Sequence, residues 1–170
     1  ATSEIRYGIS GRPSRSVSDA TLSGEHNLTI GPLRSCTRFR FQLLDAFQNV
    51  TVNSSDYFFT TRGCTGDASI LRETDGLITR VAGGQLRLDV TAPSAVTLDI
   101  PAGYDDDEDA NFQIKQLEKG AVLSVAPAPT NFSVVGDHVY NLSALTDVQV
   151  TTDNFNNPVA ITIEYSDQEA

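Results

Sequence analysis

Apolar and polar side chains alternate through the segment Arg38-Phe39-Arg40-Phe41-Gln42-Leu43. A period of two is typical of a β-strand with one buried face, because successive side chains of a strand point to opposite sides. The same alternation recurs at 86–90, 96–100 and 159–165. Clusters of glycine, proline and asparagine that favour turns, such as Gly83-Gly84, separate these runs. Short strands at this spacing predict an all-β protein built of β-sandwiches.

The charge is distributed unevenly along the chain. Residues 1–64 carry seven basic and five acidic residues, a net charge of +2, and residues 65–170 carry five basic and seventeen acidic residues, a net charge of −12; the two sum to −10 for the whole chain. The step coincides with the turn-forming sequence at 62–67. We therefore expect two modules, 1–64 and 65–170.

The composition argues against two classes of partner. A sequence pI near 4.4 disfavours nucleic acid, whose phosphates attract basic surfaces. No stretch approaches the roughly 18 consecutive apolar residues of a membrane span. We therefore expect neither nucleic-acid binding nor membrane insertion in this segment.

The two cysteines, Cys36 and Cys64, flank a predicted hairpin. If residues 37–47 and 55–62 pair as antiparallel strands, both thiols fall at the same end of the hairpin, within reach of a disulfide. Such a bond would stabilise the fold by about 3 kcal/mol through the entropy of the unfolded chain. It predicts an oxidising, extracytoplasmic setting, whereas the alternative is two free thiols in a reducing compartment.

Several motifs in residues 2–62 resemble fibronectin type III domains, closest to the variant found in bacterial surface proteins. Ser3–Gly8 is similar to strand C of that family and Glu25–Ile30 to strand E. Gly31–Phe39 resembles the corner that leads into strand F, and Phe58–Thr61 the end of strand G.

The match departs from the family in two respects. Phe39 stands where the family usually has a tyrosine, so the corner lacks the hydroxyl that bonds to the backbone. Strands A and B, with the core tryptophan of B, have no counterpart in a chain without tryptophan. The resemblance implies an incomplete sandwich of strands C to G. We expect either a fragment of a longer multidomain protein or another segment or chain that supplies strands A and B.

Residues 80–166 resemble ZU5-like domains. Gly83–Leu86 followed by Val96–Gly103 is similar to the opening motif of that family, and Phe155–Tyr165 to its closing strand. The resemblance implies a second β-sandwich, of a kind that serves in protein interaction or at surfaces rather than in catalysis.

Five carboxylates follow one another in a predicted loop: Asp105, Asp106, Asp107, Glu108 and Asp109. Oxygen-rich loops suit Ca²⁺, which makes this run the cofactor candidate of the chain. The run lacks the alternating ligands and central glycine of an EF-hand, and adjacent side chains cannot all turn to one ion. We favour the alternative, a solvated hairpin tip between strands 95–100 and 111–117, and expect no cofactor.

Two further sets of residues are candidates for contacts at the surface. Asn-x-Ser/Thr sequons occur at Asn27, Asn49, Asn53, Asn131 and Asn141. Such sequons accept glycans in secreted proteins of eukaryotes and archaea, whereas in most bacteria they are accidents of composition. The resemblance to bacterial proteins favours the second interpretation, an accident of composition.

Four arginines could contact the acidic second module. They are Arg12 and Arg15 in a predicted loop, and Arg38 and Arg40 on the outward face of a predicted strand. The alternative is an ordinary solvated face.

No pattern of residues points to catalysis. His26 and His138 lie near no nucleophile motif, and there is neither a nucleophile elbow nor a phosphate-binding loop. The sequence predicts a non-catalytic structural or adhesion module of a larger extracellular or cell-surface protein, with other domains or chains of a surface assembly as partners. The alternative is an accessory carbohydrate-binding module of a secreted enzyme, which would need a planar row of exposed aromatic rings.

Overall fold

The chain is almost entirely antiparallel β-structure, which confirms the predicted all-β class. The computed structural model describes residues 1–9, 12–91, 94–105, 108–128, 130, 138–146 and 155–165. Its strands are β1 (Thr2–Ile9), β2 (Arg12–Asp19), β3 (Arg38–Phe47), β4 (Val50–Asn53), β5 (Tyr57–Thr60), β6 (Ile70–Ile78), β7 (Gly84–Thr91), β8 (Ser94–Ile100), β9 (Ala110–Leu117), β10 (Val139–Leu145) and β11 (Ala160–Glu164). A 3₁₀ turn spans Thr65–Asp67 and a short helix, α1, spans Lys119–Val125. Within these described residues no helix is long and apolar enough to cross a membrane.

The first five strands form one sheet, which we call the N-terminal sheet. Its order is β2-β1-β3-β4, and β5 pairs with β3 beyond the end of β4. The register places Ile5, Tyr7 and Ile9 of β1 opposite Leu43, Phe41 and Phe39 of β3. One face of the sheet is therefore apolar, as the alternation in the sequence predicts.

The remaining strands form two three-stranded sheets that pack face to face as a sandwich. The middle sheet has the order β10-β9-β6, and the outer sheet has the order β11-β8-β7. Their shared core includes Leu88 and Val96 from the outer sheet and Phe112 and Ile114 from the middle sheet. The fully buried Tyr104 fastens the crossover from β8 to β9, because its hydroxyl donates to the Ile78 carbonyl at 2.7 Å and accepts from the Ala110 amide at 2.6 Å.

Three local predictions are wrong. Glu25–Ile30 forms no strand, since no described strand lies beside it to pair with its backbone. Arg12 and Arg15 lie not in a loop but in β2, which pairs with β1. Residues 105–109 do not join a hairpin, because β8 belongs to the outer sheet and β9 to the middle sheet.

Candidate functional site

A disulfide closes the end of the N-terminal sheet that faces the middle sheet. Cys36 precedes β3 and Cys64 follows β5, and the two are bonded with their Cα atoms 4.6 Å apart. Backbone hydrogen bonds from Thr61 to Thr37 and from Cys36 to Arg62, both 3.0 Å, continue the β3–β5 pairing up to the bond. The predicted disulfide and the hairpin on which it rested are confirmed.

The chain that follows the disulfide is packed rather than loose. Cys64 is buried in an apolar cluster with Leu117 and Val122. Gly66 has φ +67°, and a Cβ there would come within 2.2 Å of the Ala121 carbonyl oxygen of α1. The turn therefore requires glycine to lie this close to the helix.

Arg38 joins the N-terminal sheet to the acidic strand β6. Its Nη1 donates to Glu73 Oε1 at 3.2 Å, and its Nε lies 3.3 Å from Asp75 Oδ1 as an ion pair. Thr60 of the neighbouring strand adds a hydrogen bond to Glu73 at 2.8 Å, and the guanidinium lies 5.0 Å from the centre of the Phe58 ring. Both carboxylates are largely withdrawn from solvent, with side-chain exposures of 20% for Glu73 and 9% for Asp75. A charge pair shielded in this way is screened little by salt and is costly to break on one side.

Gln113 of β9 reinforces this joint from the middle sheet. Its carboxamide accepts from the Arg38 amide and donates to the Arg38 carbonyl, both at 3.2 Å, as the backbone of a paired strand would. Gln113 also donates to Asn111 Oδ1 at 3.0 Å, and its oxygen accepts from Lys115. Asn111, Gln113 and Lys115 are all fully buried, so this polar face of β9 is an internal surface. We call the set Arg38, Thr60, Glu73, Asp75, Asn111, Gln113 and Lys115 the polar joint.

Lys115 places an amine inside the polar joint. Burial lowers the pKa of this amine from 10.5 to about 8, against the opposing effect of the Glu73 and Asp75 carboxylates. The neighbouring Arg38 guanidinium adds to the lowering. A buried amine with a depressed pKa is a feature of catalytic sites and of internal charge networks alike. Here the amine donates a hydrogen bond to Gln113, a structural partner.

The other arginines of the sequence prediction lie elsewhere. Arg40 pairs at 2.7 Å with Asp56, in the loop just before β5, rather than with the acidic C-terminal half, because it lies two residues further from the joint on β3. Arg15 lies half-buried in β2 opposite Tyr7. Arg12 begins β2, and its side chain is outside the described residues.

The acidic run contributes no metal centre among the residues that the structure describes, where no group of three or more His, Cys, Asp or Glu side chains is arranged to hold an ion. Asp105 and Asp109 are half-buried and Glu108 is exposed, while Asp106 and Asp107 are outside the described residues. The Asp109 carboxylate accepts from the Arg80 amide at 2.9 Å, which ties the run to the end of β6.

The sequons fall in different environments. Asn27, Asn49 and Asn53 are exposed, Asn141 is half-buried in β10, and Asn131 is outside the described residues. Exposure is the condition that a glycan acceptor must meet, so the first three positions satisfy it.

An open groove of about 740 Å³ lies between β10 and β11. Its walls include Leu98, Phe112, Leu142, Phe155 and Ile161, and its mouth includes the disulfide corner. Polar side chains of Arg34, Thr37, Asn141 and Ser143 complete the lining, so the groove has both apolar and polar walls.

The site that the structure assembles was only partly visible in the sequence. Arg38 was named from its charge and position, whereas Glu73, Gln113 and Lys115 were not. Gln113 and Lys115 had a signal, since polar residues occupy every second position of β9, but solvent-facing strands share that pattern. No protein-family model, curated protein or solved structure matches this chain.

Proposed function

We propose that the chain is a non-catalytic structural module of an extracellular or cell-surface protein, and that it holds its two halves in a fixed orientation. The polar joint is the observation that carries this proposal. It connects the two halves through ion pairs and hydrogen bonds of Arg38, whose partners Glu73 and Gln113 are largely or fully withdrawn from solvent. Because each of these bonds is directional, together they favour one orientation over many.

The disulfide supports the extracellular part of the proposal. Structural disulfides persist in oxidising compartments and are rare in the reducing cytosol. The Cys36–Cys64 bond lies beside the polar joint and fixes the start of β3, which carries Arg38. The same bond that favours an extracellular setting therefore also stiffens the joint.

The alternative, a carbohydrate-binding module, draws less support from the described surface. The exposed aromatic side chains there are Phe47, Tyr57, Phe58 and Tyr165, with exposures of 46–55%. Tyr57 and Phe58 are neighbours in β5 and so point to opposite faces, and Tyr165 follows β11 in another sheet. These rings form no planar row on which a sugar chain could stack.

Residual dipolar couplings test the fixed orientation. We expect amides of β1 and β3 and amides of β8 and β9 to fit one alignment tensor in the wild-type protein. Arg38→Met removes the guanidinium that pairs with Glu73 and Asp75, so we expect two separate tensors and a loss of about 3 kcal/mol in unfolding free energy.

Arg40→Met is the matched control, because Arg40 pairs with Asp56, which also belongs to the N-terminal half. This variant should keep a single tensor. Independent tensors in the wild-type protein would overturn the proposal.

A further inference from the structure

The apolar face of the N-terminal sheet is covered at one end and open at the other. Near the joint, Ile9 and Phe39 are 3% and 0% exposed and pack against Leu33 and Leu145. The register places five further apolar side chains on the same face, towards the far end, where they surround the exposed Asp45 of β3. We call them the open patch: Leu43, Phe47, Val50, Val52 and Tyr57, with exposures of 40–64%. Five large apolar side chains exposed on one face mark an interaction site rather than ordinary surface.

One extended segment already crosses this face. Ser23 and Ala1 exchange two backbone hydrogen bonds of 3.1 and 3.0 Å at the start of β1, and Leu33 packs against Ile9 at its end. The segment between them therefore runs along β1. Its burial alternates from residue to residue, with His26, Leu28 and Ile30 half-buried and with Asn27 and Thr29 exposed.

No strand among the described residues pairs with the backbone of this segment. No hydrogen bond reaches residues 27–31 from any described residue, although the segment runs along β1 and its burial alternates as in a strand. Unpaired amides and carbonyls of an extended chain are a template for another strand. The segment thus supplies backbone partners next to a patch that supplies apolar contacts.

We propose that residues 27–31 and the open patch together form an acceptor site for one β-strand of a partner polypeptide. This inference deepens the proposed function and rests on it, since it states how a partner of the surface assembly would attach. The partner strand lies beside residues 27–31 and over β3, β4 and β5. Its backbone pairs with residues 27–31, and every second side chain is apolar and contacts the open patch. The remaining side chains face solvent and are polar.

Strand addition accounts for both the unpaired backbone of residues 27–31 and the exposed side chains of the open patch. An apolar ligand would leave the unpaired backbone unexplained. Main-chain hydrogen bonds supply affinity in this mode of binding, and alternate side chains supply specificity. The occupant is therefore recognised by its extended backbone and its period of two.

Hydrogen exchange tests the acceptor site with a defined probe. The probe is a nine-residue peptide with alternating valine and threonine between terminal lysines. Added to the full chain, it should slow exchange of the amides of residues 27–31 by about tenfold or more. Exchange in strands that end a sheet elsewhere, such as β2, β4, β7 and β11, should stay unchanged.

Two pairs of variants separate the backbone from the patch. Thr29→Pro removes one amide of the acceptor backbone and should weaken peptide binding by about tenfold or more, whereas Thr29→Ala keeps the amide and should bind as the wild type does. Val52→Thr makes the patch more polar and should also weaken binding, whereas Val81→Thr, in a turn outside the patch, should not. Thermal unfolding of each variant confirms that it is folded.

Three results would overturn the inference. They are protection at β2 or β11 instead of residues 27–31, no binding up to about 1 mM peptide, and slow exchange at residues 27–31 in a dimer of the chain alone. The last would assign the site to a second copy. None of them changes the alignment tensors that test the polar joint, so failure of the acceptor site and failure of the proposed function are distinguishable.

Discussion

Lys115 is a buried residue whose pKa departs far from its ordinary value. Its side chain is fully buried, and burial holds its pKa at about 8, below the value of 10.5 expected in water. The amine donates a hydrogen bond to Gln113, which in turn binds the backbone of Arg38. Lys115 therefore stabilises the joint at the expense of a desolvated charge.

The stability of the protein should depend on pH through this amine. Its pKa is lower in the folded than in the unfolded chain, so between about pH 8 and 10.5 the unfolded chain binds more protons and stability rises with pH. We expect the unfolding free energy of the wild type, relative to Lys115→Met, to increase by up to about 3 kcal/mol from pH 7 to pH 10.5. Urea titrations of both proteins measure this difference in unfolding free energy. Other titrating groups contribute equally to both proteins, so their effect cancels in the difference. A difference that does not change with pH would contradict the lowered pKa of Lys115.

The polar joint shows which residues of a site a single sequence can reveal. Arg38 could be named because a basic residue next to an acidic segment has an evident partner. Gln113 could not be named in this way. Phe112 and Ile114 on either side of it predict a strand with one polar face, and such a face usually lies in contact with solvent. Whether it meets water or another sheet depends on contacts between residues 75 positions apart, which local patterns do not contain.

At the scale of the element, two segments show what makes a strand. Arg12–Asp19 lacks apolar alternation and yet forms β2, because β1 supplies a backbone ladder to pair with. Glu25–Ile30 has the alternation and forms no strand, because no described neighbour pairs with it. Alternation reports which face is buried, whereas a strand also needs a partner. The sequence therefore predicts the sheet faces better than the sheet edges.

The turn between β6 and β7 depends on one glycine. Gly83 has φ +66°, and a Cβ there would lie 2.5 Å from the Ile100 carbonyl oxygen and 2.6 Å from the Ala102 amide. Both contacts are with backbone, which cannot move aside as a side chain can. We expect Gly83→Ala to cost about 2 kcal/mol and to lower Tm by about 4 to 8 °C.

Gly24→Ala is the matched control for this substitution, since nothing lies within 4 Å of a Cβ at that position. Its Tm should stay within about 2 °C of the wild-type value. Equal Tm values for the two variants would contradict the role assigned to Gly83.

At the scale of the whole molecule, the charge step along the sequence becomes a contact between halves of opposite sign. The N-terminal half has a net charge of +2 and the C-terminal half −12, and Arg38 meets Glu73 and Asp75 where the halves touch. Screening acts strongly on exposed charges and weakly on those withdrawn from solvent. The joint should therefore resist salt, unlike an attraction between two solvated faces.

Small-angle scattering measures this directly. We expect the radius of gyration to be the same in about 0.05 M and about 1 M sodium chloride, because the Debye length changes but the shielded ion pairs do not. Arg38→Met should expand under the same conditions, because it lacks those pairs. An expansion of the wild type with salt would show that the halves are held by long-range attraction instead.

The position of the disulfide also determines how the N-terminal sheet would bear tension. A pull between Ala1 and Thr65 enters β1 at its far end and, through Cys36–Cys64, enters β3 at the end nearest the joint. These strands are antiparallel and registered over eight residue pairs, so the load acts along them and all their hydrogen bonds resist it together. The disulfide therefore transfers the load to the eight-residue pairing of β1 with β3. Without it, the load would fall first on the four-residue pairing of β3 with β5.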